Sequence, residues 1–348
     1  MPTQYEMLTS DDVVTTRTVL HESIPLTGTI ISGTYGTFPN EGNIKNYTHG
    51  QFESVYDYPY LSSSSNHILD LSIGYPATSA LSGAASTQNA KKINMYNQMA
   101  QVLLGYESSS QGLIEKFEAD LSLDNSGIMS EVFFLNFSRL ITKDQIKKGT
   151  FNLTLGTGSW AAPFAKKMPL SDASASATQG TATSIGGEYG VLYDTTAHPY
   201  VPRGVVFYQA GVAVLSASAF DNVADFYKSP TWGNQSPRQA MTGSSISSSC
   251  DALRHRVQNI SFNNTTEINS TIYFCRAPAN KFNYSSNPTY VSGGTCVVKN
   301  IASDQPVSYI TTVGLYNANN ELLAVAKLSE PLKKDPTNEL TLRVRLDY

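Results

Sequence analysis

Charged side chains are scarce in this chain. They make up 15% of its 348 residues, against about 25% in an average soluble domain. Lys and Arg number 24 and Asp and Glu number 28, so the formal net charge is −4. Proteins that bind nucleic acid generally neutralise phosphates with clustered Lys and Arg, and this chain has no basic excess. The composition therefore excludes a general nucleic-acid-binding protein.

Long apolar runs and a secretory leader are also lacking. The most apolar stretch covers residues 204–215, which is shorter than the roughly 20 residues of a membrane-spanning helix. Gln209 and Gly211 divide it, and the division favours two strands. No basic segment followed by an apolar one opens the chain. We therefore expect no membrane partner.

Cysteine and histidine are too few and too dispersed for a metal site. The three cysteines form no C-x-x-C pair, and the five histidines stand at no metal-binding spacing. The H-E-x-x-H, phosphate-loop and G-x-S-x-G motifs are all missing. The sequence predicts no metal, no cofactor and no catalytic residue, and we expect the protein not to be an enzyme. A pair of glycosidase carboxylates stays open, because such residues can be far apart in a chain.

Polar uncharged residues and tyrosine replace the missing charge. The chain has 20 Tyr and 14 Phe, enough to supply a large core, together with abundant Ser, Thr, Asn and Gln. A surface rich in these residues and poor in charge can be covered by neighbours with little ion desolvation. This composition indicates a subunit of a larger assembly.

The patterning predicts three regions. Residues 1–65 are punctuated by Gly and Pro and indicate an extended N-terminal arm, with surface loops on the main body as the alternative. Residues 66–125 form a helical region, and residues 126–348 form a β-rich domain. A division of that domain into two subdomains near residues 222–265 is left open.

The helical region contains one clear amphipathic pattern. Ser86 or Thr87 is a suitable N-cap, and Gly105 is suited to end the helix. Residues 113–121 predict a second short helix, and residues 244–258 a third. The apolar positions of the first helix follow helical spacing: Ile93, Tyr96, Ala100 and Leu103.

Strand patterns dominate the rest of the chain. Residues 132–137 and 151–155 read as strands, and residues 309–316 and 321–328 flank an Asn-rich turn typical of a hairpin. Alternation in residues 340–348 predicts a half-buried final strand. Residues 170–187 predict a loop without a core. The fold class predicted is mainly β with a helical insert (α+β), with an antiparallel β-sandwich-like body and the N-terminal arm.

Segments of the C-terminal third are similar to proteins of a known class. Three segments resemble virion structural proteins of contractile-tailed, T4-like and cyanophage-type bacteriophages, both in short stretches of sequence and in the order of those stretches. They are Ser270–Ala277, Phe282–Tyr290 and Tyr309–Asp335. Val132–Leu155 extends the resemblance, which covers about a third of the chain and contains no catalytic motif. It implies a β-rich, non-enzymatic component present in many copies in a tail, baseplate or neck.

The leading hypothesis is a tail baseplate protein of the wedge type that acts through contacts between subunits. The expected partners are other virion proteins and copies of itself, with no nucleic acid and no membrane. The expected location is the virion, after synthesis in the host cytoplasm. The alternatives are a neck or capsid-associated virion protein and a carbohydrate-binding tail protein.

Tyrosine-rich segments are the candidate contact regions. Tyrosine supplies a large contact area at low entropic cost, which suits interfaces. The candidate segments are the 1–65 arm, the 170–187 loop and the turn from Tyr284 to Tyr290. The interface candidates singled out are Tyr56, Tyr58, Tyr60, Tyr284, Asn287 and Tyr290.

Overall fold

Strands account for 46% of the chain and helices for 19%, which confirms the predicted mainly β, α+β class. The structure, a computed structural model, describes residues 5–33, 36–37, 40–83, 86–107, 112–118, 127–176, 181–243, 245–284, 291–292, 295–296, 303 and 305–348. None of the helices in these ranges is both long enough and apolar enough to span a membrane.

The helices are few and mostly short. The α-helices are α1 (Gly28–Ser32), α2 (Thr87–Leu103), α3 (Arg139–Thr142), α4 (Pro237–Gly243) and α5 (Ile246–Arg254). Short 3-10 helices lie at Ser10–Asp12, Ala80–Ser82, Pro163–Ala165, Ala173–Ser176 and Ala217–Phe220.

The strands extend over most of the chain. In chain order they are β1 (Val13–Thr27), β2 (Gly36–Thr37), β3 (Asn40–Glu41), β4 (Ile44–Asn46), β5 (Glu53–Tyr56), β6 (His67–Gly74), β7 (Val132–Phe137), β8 (Gln145–Ile146), β9 (Asn152–Gly156), β10 (Lys167–Ser171), β11 (Thr181–Ser184), β12 (Gly187–Asp194), β13 (Val201–Phe207), β14 (Val212–Ser216), β15 (Tyr227–Ser229), β16 (Gly233–Gln235), β17 (Val257–Ala277), β18 (Val291–Ser292), β19 (Thr295–Cys296), β20 (Ser308–Tyr316), β21 (Leu322–Lys334) and β22 (Leu340–Asp347).

The chain divides into two compact units. Unit 1 comprises residues 1–19 and 267–348, and unit 2 comprises residues 20–266. This division differs from the predicted boundaries at residues 65 and 125. Residues predicted to lie in an extended arm contribute to unit 2, where Ile31, Ile44 and Val55 are buried.

Unit 2 is built on one large sheet. Its strands follow the order β17, β9, β10, β12, β13, β14, β7, β6, β5 and β4, and each neighbouring pair in this series is antiparallel. β11 adds to β12, and β8 adds to β17. The strands predicted within residues 204–215 are present as β13 and β14, which pair through a turn at Gly211.

Both faces of this sheet are covered by apolar packing. Side chains alternate along β7, so that Phe133 and Leu135 contribute to one buried cluster and Phe134 to another. The first cluster includes Ile246 and Leu253 of α5. A strand that is buried on both faces needs apolar residues at nearly every position, which explains the apolar sequence of residues 132–137.

The predicted amphipathic helix is confirmed as α2. The Ser86 hydroxyl caps it by accepting a hydrogen bond from the Asn89 N–H at 3.2 Å. Its apolar positions Tyr96, Ala100 and Leu103 pack in the second cluster. Gly74 of β6 lies so close to the helix that a Cβ there would be 2.9 Å from the Tyr96 Cβ. The sheet therefore holds α2 at close range.

Two local predictions were wrong. Residues 113–118 contain no helix: Ile114 bridges to Tyr106, and Glu118 bridges to Ile128. Phe117 is fully buried in the second cluster, and Leu121 lies outside the described residues.

The predicted coreless loop at 170–187 includes Asp172, which is fully buried and accepts backbone hydrogen bonds from Gly149 and Phe151. Hydrogen bonds and packing with residues distant in sequence therefore determine the conformation of both segments.

Unit 1 contains two antiparallel pairings of long strands. β22 pairs with residues 270–277 of β17, and β20 pairs with β21 in a long hairpin. The predicted Asn turn closes this hairpin: the Asn317 side chain accepts hydrogen bonds from the N–H groups of Asn319 and Glu321 at 2.9 and 2.8 Å. The predicted alternation of the last strand is also present, with Leu340, Leu342, Val344 and Leu346 more covered than the residues between them.

Candidate functional site

The first candidate surface is an aromatic patch on β4 to β6, which we call the aromatic face. It comprises Lys45, Tyr47, Tyr56, Tyr60 and His67. The Lys45 Nζ lies 4.8 Å from the Tyr47 ring centroid and 5.8 Å from that of Tyr60, close enough for cation–π attraction. The Tyr56 ring centroid is 6.1 Å from that of Tyr60 and 5.5 Å from that of His67. The rings form one connected surface.

Strand alternation explains why this face points outward. Glu53 and Val55 of β5 are fully buried, so the intervening Ser54 and the following Tyr56 lie on the opposite side of the strand. Burial raises the pKa of Tyr56 above its ordinary value of 10.0, and the neighbouring Tyr47 raises it by a smaller amount. The phenol is therefore neutral at physiological pH and acts as a hydrogen-bonding group.

A carboxylate anchors the polar part of the aromatic face. Asp70 Oδ1 accepts a hydrogen bond from the Ser54 hydroxyl and lies 2.8 Å from His67 Nε2. In this arrangement the carboxylate stands between the hydroxyl and the imidazole. A Ser-His-Asp triad needs the imidazole in the middle, so these residues do not form one. The contacts fix the orientations of the side chains at the surface.

The structure brings some of the predicted interface residues together. Tyr56 and Tyr60 are neighbours on the aromatic face, while Tyr58 is 47% exposed. Tyr284 lies in unit 1 and is 44% exposed. Asn287 and Tyr290 lie outside the described residues.

Other residues of the aromatic face were missed by sequence reasoning. Lys45 lies on β4 and Tyr47 directly follows that strand, whereas His67 begins β6; the register of β4 with β5 and of β5 with β6 brings them to the same surface as Tyr56. The density of aromatic residues between 47 and 60 was the available signal.

The second candidate surface is one face of the β20–β21 hairpin, which we call the hairpin face. It comprises Gly314, Tyr316, Leu322 and Val325. Gly314 pairs with Val325, and Tyr316 pairs with Leu322, so all four lie on the same side of the hairpin. Tyr316, Leu322 and Val325 are 45%, 51% and 51% exposed. Tyr5 packs edge-on against Tyr316, with 5.1 Å between the ring centroids.

The hairpin face belongs to a unit with little core of its own. Among the apolar residues described in unit 1, only Ala277 and Val344 are buried. The large apolar residues that this unit exposes are Tyr5, Met7, Leu8, Val14, Val19, Tyr284, Tyr309, Tyr316, Leu322, Leu323, Val325 and Tyr348.

Comparison with known proteins finds no match. This holds for protein-family models, for curated proteins and for solved structures. The function must therefore be argued from the residues and their geometry.

Two acidic residues that stand alone in the sequence have ordinary surface partners. Glu188 pairs with Lys148, and Glu267 pairs with Arg17. Within the described ranges, no group of three or more His, Cys, Asp or Glu side chains could hold a metal ion. An open depression of about 300 Å³ is lined by Asp221, Ser236, Pro237 and Arg238. Ligand sites are usually deeper and lined mainly by apolar side chains, so this depression does not suggest one.

Proposed function

We propose that the protein is a structural subunit of a larger assembly and that unit 1 is covered by neighbouring subunits. The observation that carries the proposal is the composition of unit 1. Its described part buries only Ala277 and Val344 among apolar residues, while the hairpin face and other large side chains are exposed. Obligate interfaces resemble a core that has been divided between chains.

The magnitudes support this role. Fully burying a Val side chain stabilises a fold by about 1.5–3 kcal/mol, and burying Ala stabilises it by less. Ordering each residue costs roughly 1–2 kcal/mol of backbone entropy alone. The two buried apolar side chains of the described part are too few to offset that cost over the residues described in unit 1. Apolar area buried against a neighbour would supply the remainder.

The chemistry of the exposed side chains suits a protein partner. Tyr, Leu and Val supply contact area on the hairpin face, where Tyr316, Leu322 and Val325 are exposed. Three of the four charged side chains of the described N-terminal segment form ion pairs: Asp12 with Arg276, Glu6 with Lys281 and Arg17 with Glu267. A neighbour can therefore cover these ion pairs with little loss of ion hydration.

The kind of assembly that we propose is a contractile-tailed phage virion, with the baseplate as its position. Two of the segments that resemble such proteins, Ser270–Ala277 and Tyr309–Asp335, lie in unit 1. The proposal therefore rests on the sparse core of unit 1 and on the resemblance of its strands. Its partners are other virion proteins and copies of this chain, and its role is mechanical rather than enzymatic.

Fractionation of purified phage particles that carry the gene tests this proposal. We expect the chain in the tail fraction by mass spectrometry. Recovery with heads would favour the neck or capsid-associated alternative, and absence from particles would contradict a virion role.

A variant pair tests the contact surface. Leu322→Glu combined with Val325→Glu places two carboxylates on the hairpin face, and we expect its incorporation into particles to fall. Leu140→Glu is the matched control, because Leu140 is 68% exposed in unit 2. Normal incorporation of the double variant would count against docking through the hairpin face.

The aromatic face supports a second candidate function, carbohydrate binding. Exposed tyrosine rings beside Asp57 and Asn66, whose side chains hydrogen-bond to each other at 2.9 Å, offer ring surfaces next to polar groups. A glycan array is the test. Binding that is lost in Tyr60→Ala would support this function, and an array without signal would remove it.

A further inference from the structure

A fully buried arginine in unit 2 is surrounded by three carboxyl groups, which together we call the Arg254 cluster. Arg254 of α5 donates to Glu41 Oε2 at 2.7 Å and to Asp251 Oδ1 at 2.8 Å. Glu53 Oε1 lies 2.9 Å from its Nε, and the Ser32 carbonyl accepts from its Nη1 at 2.8 Å. The cluster therefore joins α1, β3 and β5 to α5.

The cluster has more acid than base. When fully ionised, three carboxylates would face one guanidinium in an interior where Arg254, Glu41 and Glu53 side chains are at most 1% exposed. Uncompensated buried charge costs several kcal/mol in proteins, so a group of this kind is neutralised instead. A bound proton is the simplest neutralising partner.

Three other titratable groups near the cluster do not supply positive charge. Cys250 is buried beside Glu53 and Asp251, and burial raises the pKa of its thiol well above 9.0. Burial is also the main cause that lowers the pKa of His255, so its imidazole is neutral at physiological pH. Tyr227 faces Asp251, and burial raises its pKa. These three groups are therefore uncharged.

The neighbouring elements α1 and β6 add no compensating charge either. α1 contains no titratable side chain. On β6, His67 and Asp70 pair with each other, and Asp70 also accepts from Ser54, on the opposite side of β5 from Glu53.

Hydrogen-bond geometry indicates which carboxyl group holds the proton. Neither oxygen of Glu53 accepts an aligned hydrogen bond, although both are buried. A hydrogen bond with Glu53 lowers the pKa of Asp251, and two carboxyl groups can hydrogen-bond only when one of them is protonated. Burial and the charge of Asp251 raise the pKa of Glu53 well above 4.5. Glu53 is therefore the donor and Asp251 the acceptor.

We propose that the Arg254 cluster is a proton-dependent switch, in which a proton on Glu53 shared with Asp251 holds α1, β3 and β5 against α5, and loss of that proton releases them. The raised pKa values set the direction. Burial raises the pKa of Asp251 to about 6 and that of Glu53 well above its ordinary value. Stability from these groups is present at acidic pH and is lost as the pH rises through the folded-state values.

Hydrogen exchange of the full chain tests the switch without any substitution. Protection factors, which remove the intrinsic effect of base, are measured for α1 and β5 at several pH values from about 5, just above the ordinary carboxyl pKa values, to about 9. We expect them to fall by up to tenfold per pH unit, since one proton is released. Protection in β13 and β14 serves as the internal reference and should fall less. Protection of α1 and β5 that stays constant over the whole pH range would overturn the proposal.

Glu53→Gln provides the second test, because the amide has the shape of the protonated acid and can donate to Asp251. We expect this variant to keep its protection as the pH rises, and to lack the infrared C=O band of a protonated carboxyl that we expect in the wild type. Glu188→Gln, at a paired surface position, is the control and should keep the wild-type profile. The switch would be contradicted if Glu53→Gln showed the wild-type pH dependence. It would also be contradicted if the wild type lacked the protonated-carboxyl band at neutral pH.

Discussion

Replacing Arg256 with Met should destabilise unit 2 strongly. The Arg256 guanidinium is fully buried and has no carboxylate among its hydrogen-bond acceptors. It donates to the carbonyls of Phe226 at 3.1 Å, Gly156 at 3.1 Å, Gly158 at 2.8 Å and Asp225 at 2.7 Å. It therefore ties the loops after β9 and before β15 to the start of β17. Methionine fills similar space but donates no hydrogen bond.

The size of the effect follows from the carbonyls left behind. Each buried acceptor that loses its donor costs about 1–3 kcal/mol, and four of them are affected. Burial of the charged guanidinium has a desolvation cost, which lowers the pKa of Arg256 to about 10. Replacing Arg256 with Met removes that cost. The net loss that we expect is about 3–5 kcal/mol, because relief of the desolvation cost offsets only part of the losses at the four carbonyls.

Tryptophan fluorescence during urea unfolding measures this loss in the correct unit. Both tryptophans, Trp160 and Trp232, lie in unit 2, and the Trp160 ring centroid is 4.2 Å from that of His255. Arg238→Met is the control, because Arg238 is exposed in the same unit, and it should change stability by no more than about 0.5 kcal/mol. A loss below about 1 kcal/mol in Arg256→Met would refute the reasoning.

Three further predictions concern other contacts. Gly74→Ala should cost about 1–3 kcal/mol in urea unfolding, because its Cβ would be 2.9 Å from the Tyr96 backbone nitrogen; an unchanged midpoint would contradict the close packing of α2. Tyr96→Phe should cost about 1–3 kcal/mol, because the Phe117 N–H and the Met129 carbonyl each lose a partner at 3.2 Å; wild-type stability would show that water replaces the hydroxyl. Unit 1 should weaken below about pH 4. The Arg276 side chain lowers the pKa of Asp12 to about 2, and the Thr337 side chain does the same for Asp335, so their contribution is present above 3.8 and is lost as the pH falls through about 2. Hydrogen exchange at low pH measures this, and Asp12→Asn should flatten the dependence.

Local patterns in the sequence predicted the elements whose partners are near in the chain. The helical spacing of Tyr96, Ala100 and Leu103 located α2, and the Asn317 turn located the β20–β21 hairpin. Alternation located β22. In each case the residues that pattern the element also contact its nearest neighbours, so the signal is contained in a short window.

Interactions between distant residues were not predictable in this way. Glu41 and Glu53 look like ordinary surface acids in sequence, because charged residues are rarely fully buried unless paired. Their partner Arg254 lies about 200 residues away, and the hydrogen bond to Glu41 spans 213 positions. The only part of the cluster that a short window of sequence could indicate is the pair Asp251 and Arg254, which are three residues apart on α5. Phe117 likewise is held by the sheet and by α2 rather than by a helical turn of its own.

Hydrogen exchange of the purified chain, at a dilution where it is monomeric, tests the central claim most directly. If neighbours complete unit 1, then amides in β20, β21 and β22 should exchange at least about a hundredfold faster than those in β13 and β14, since sparse buried contact leaves low local stability. Their protection should rise when the chain enters an assembly. Equal protection of the two units in the monomer would contradict the claim that unit 1 depends on its neighbours.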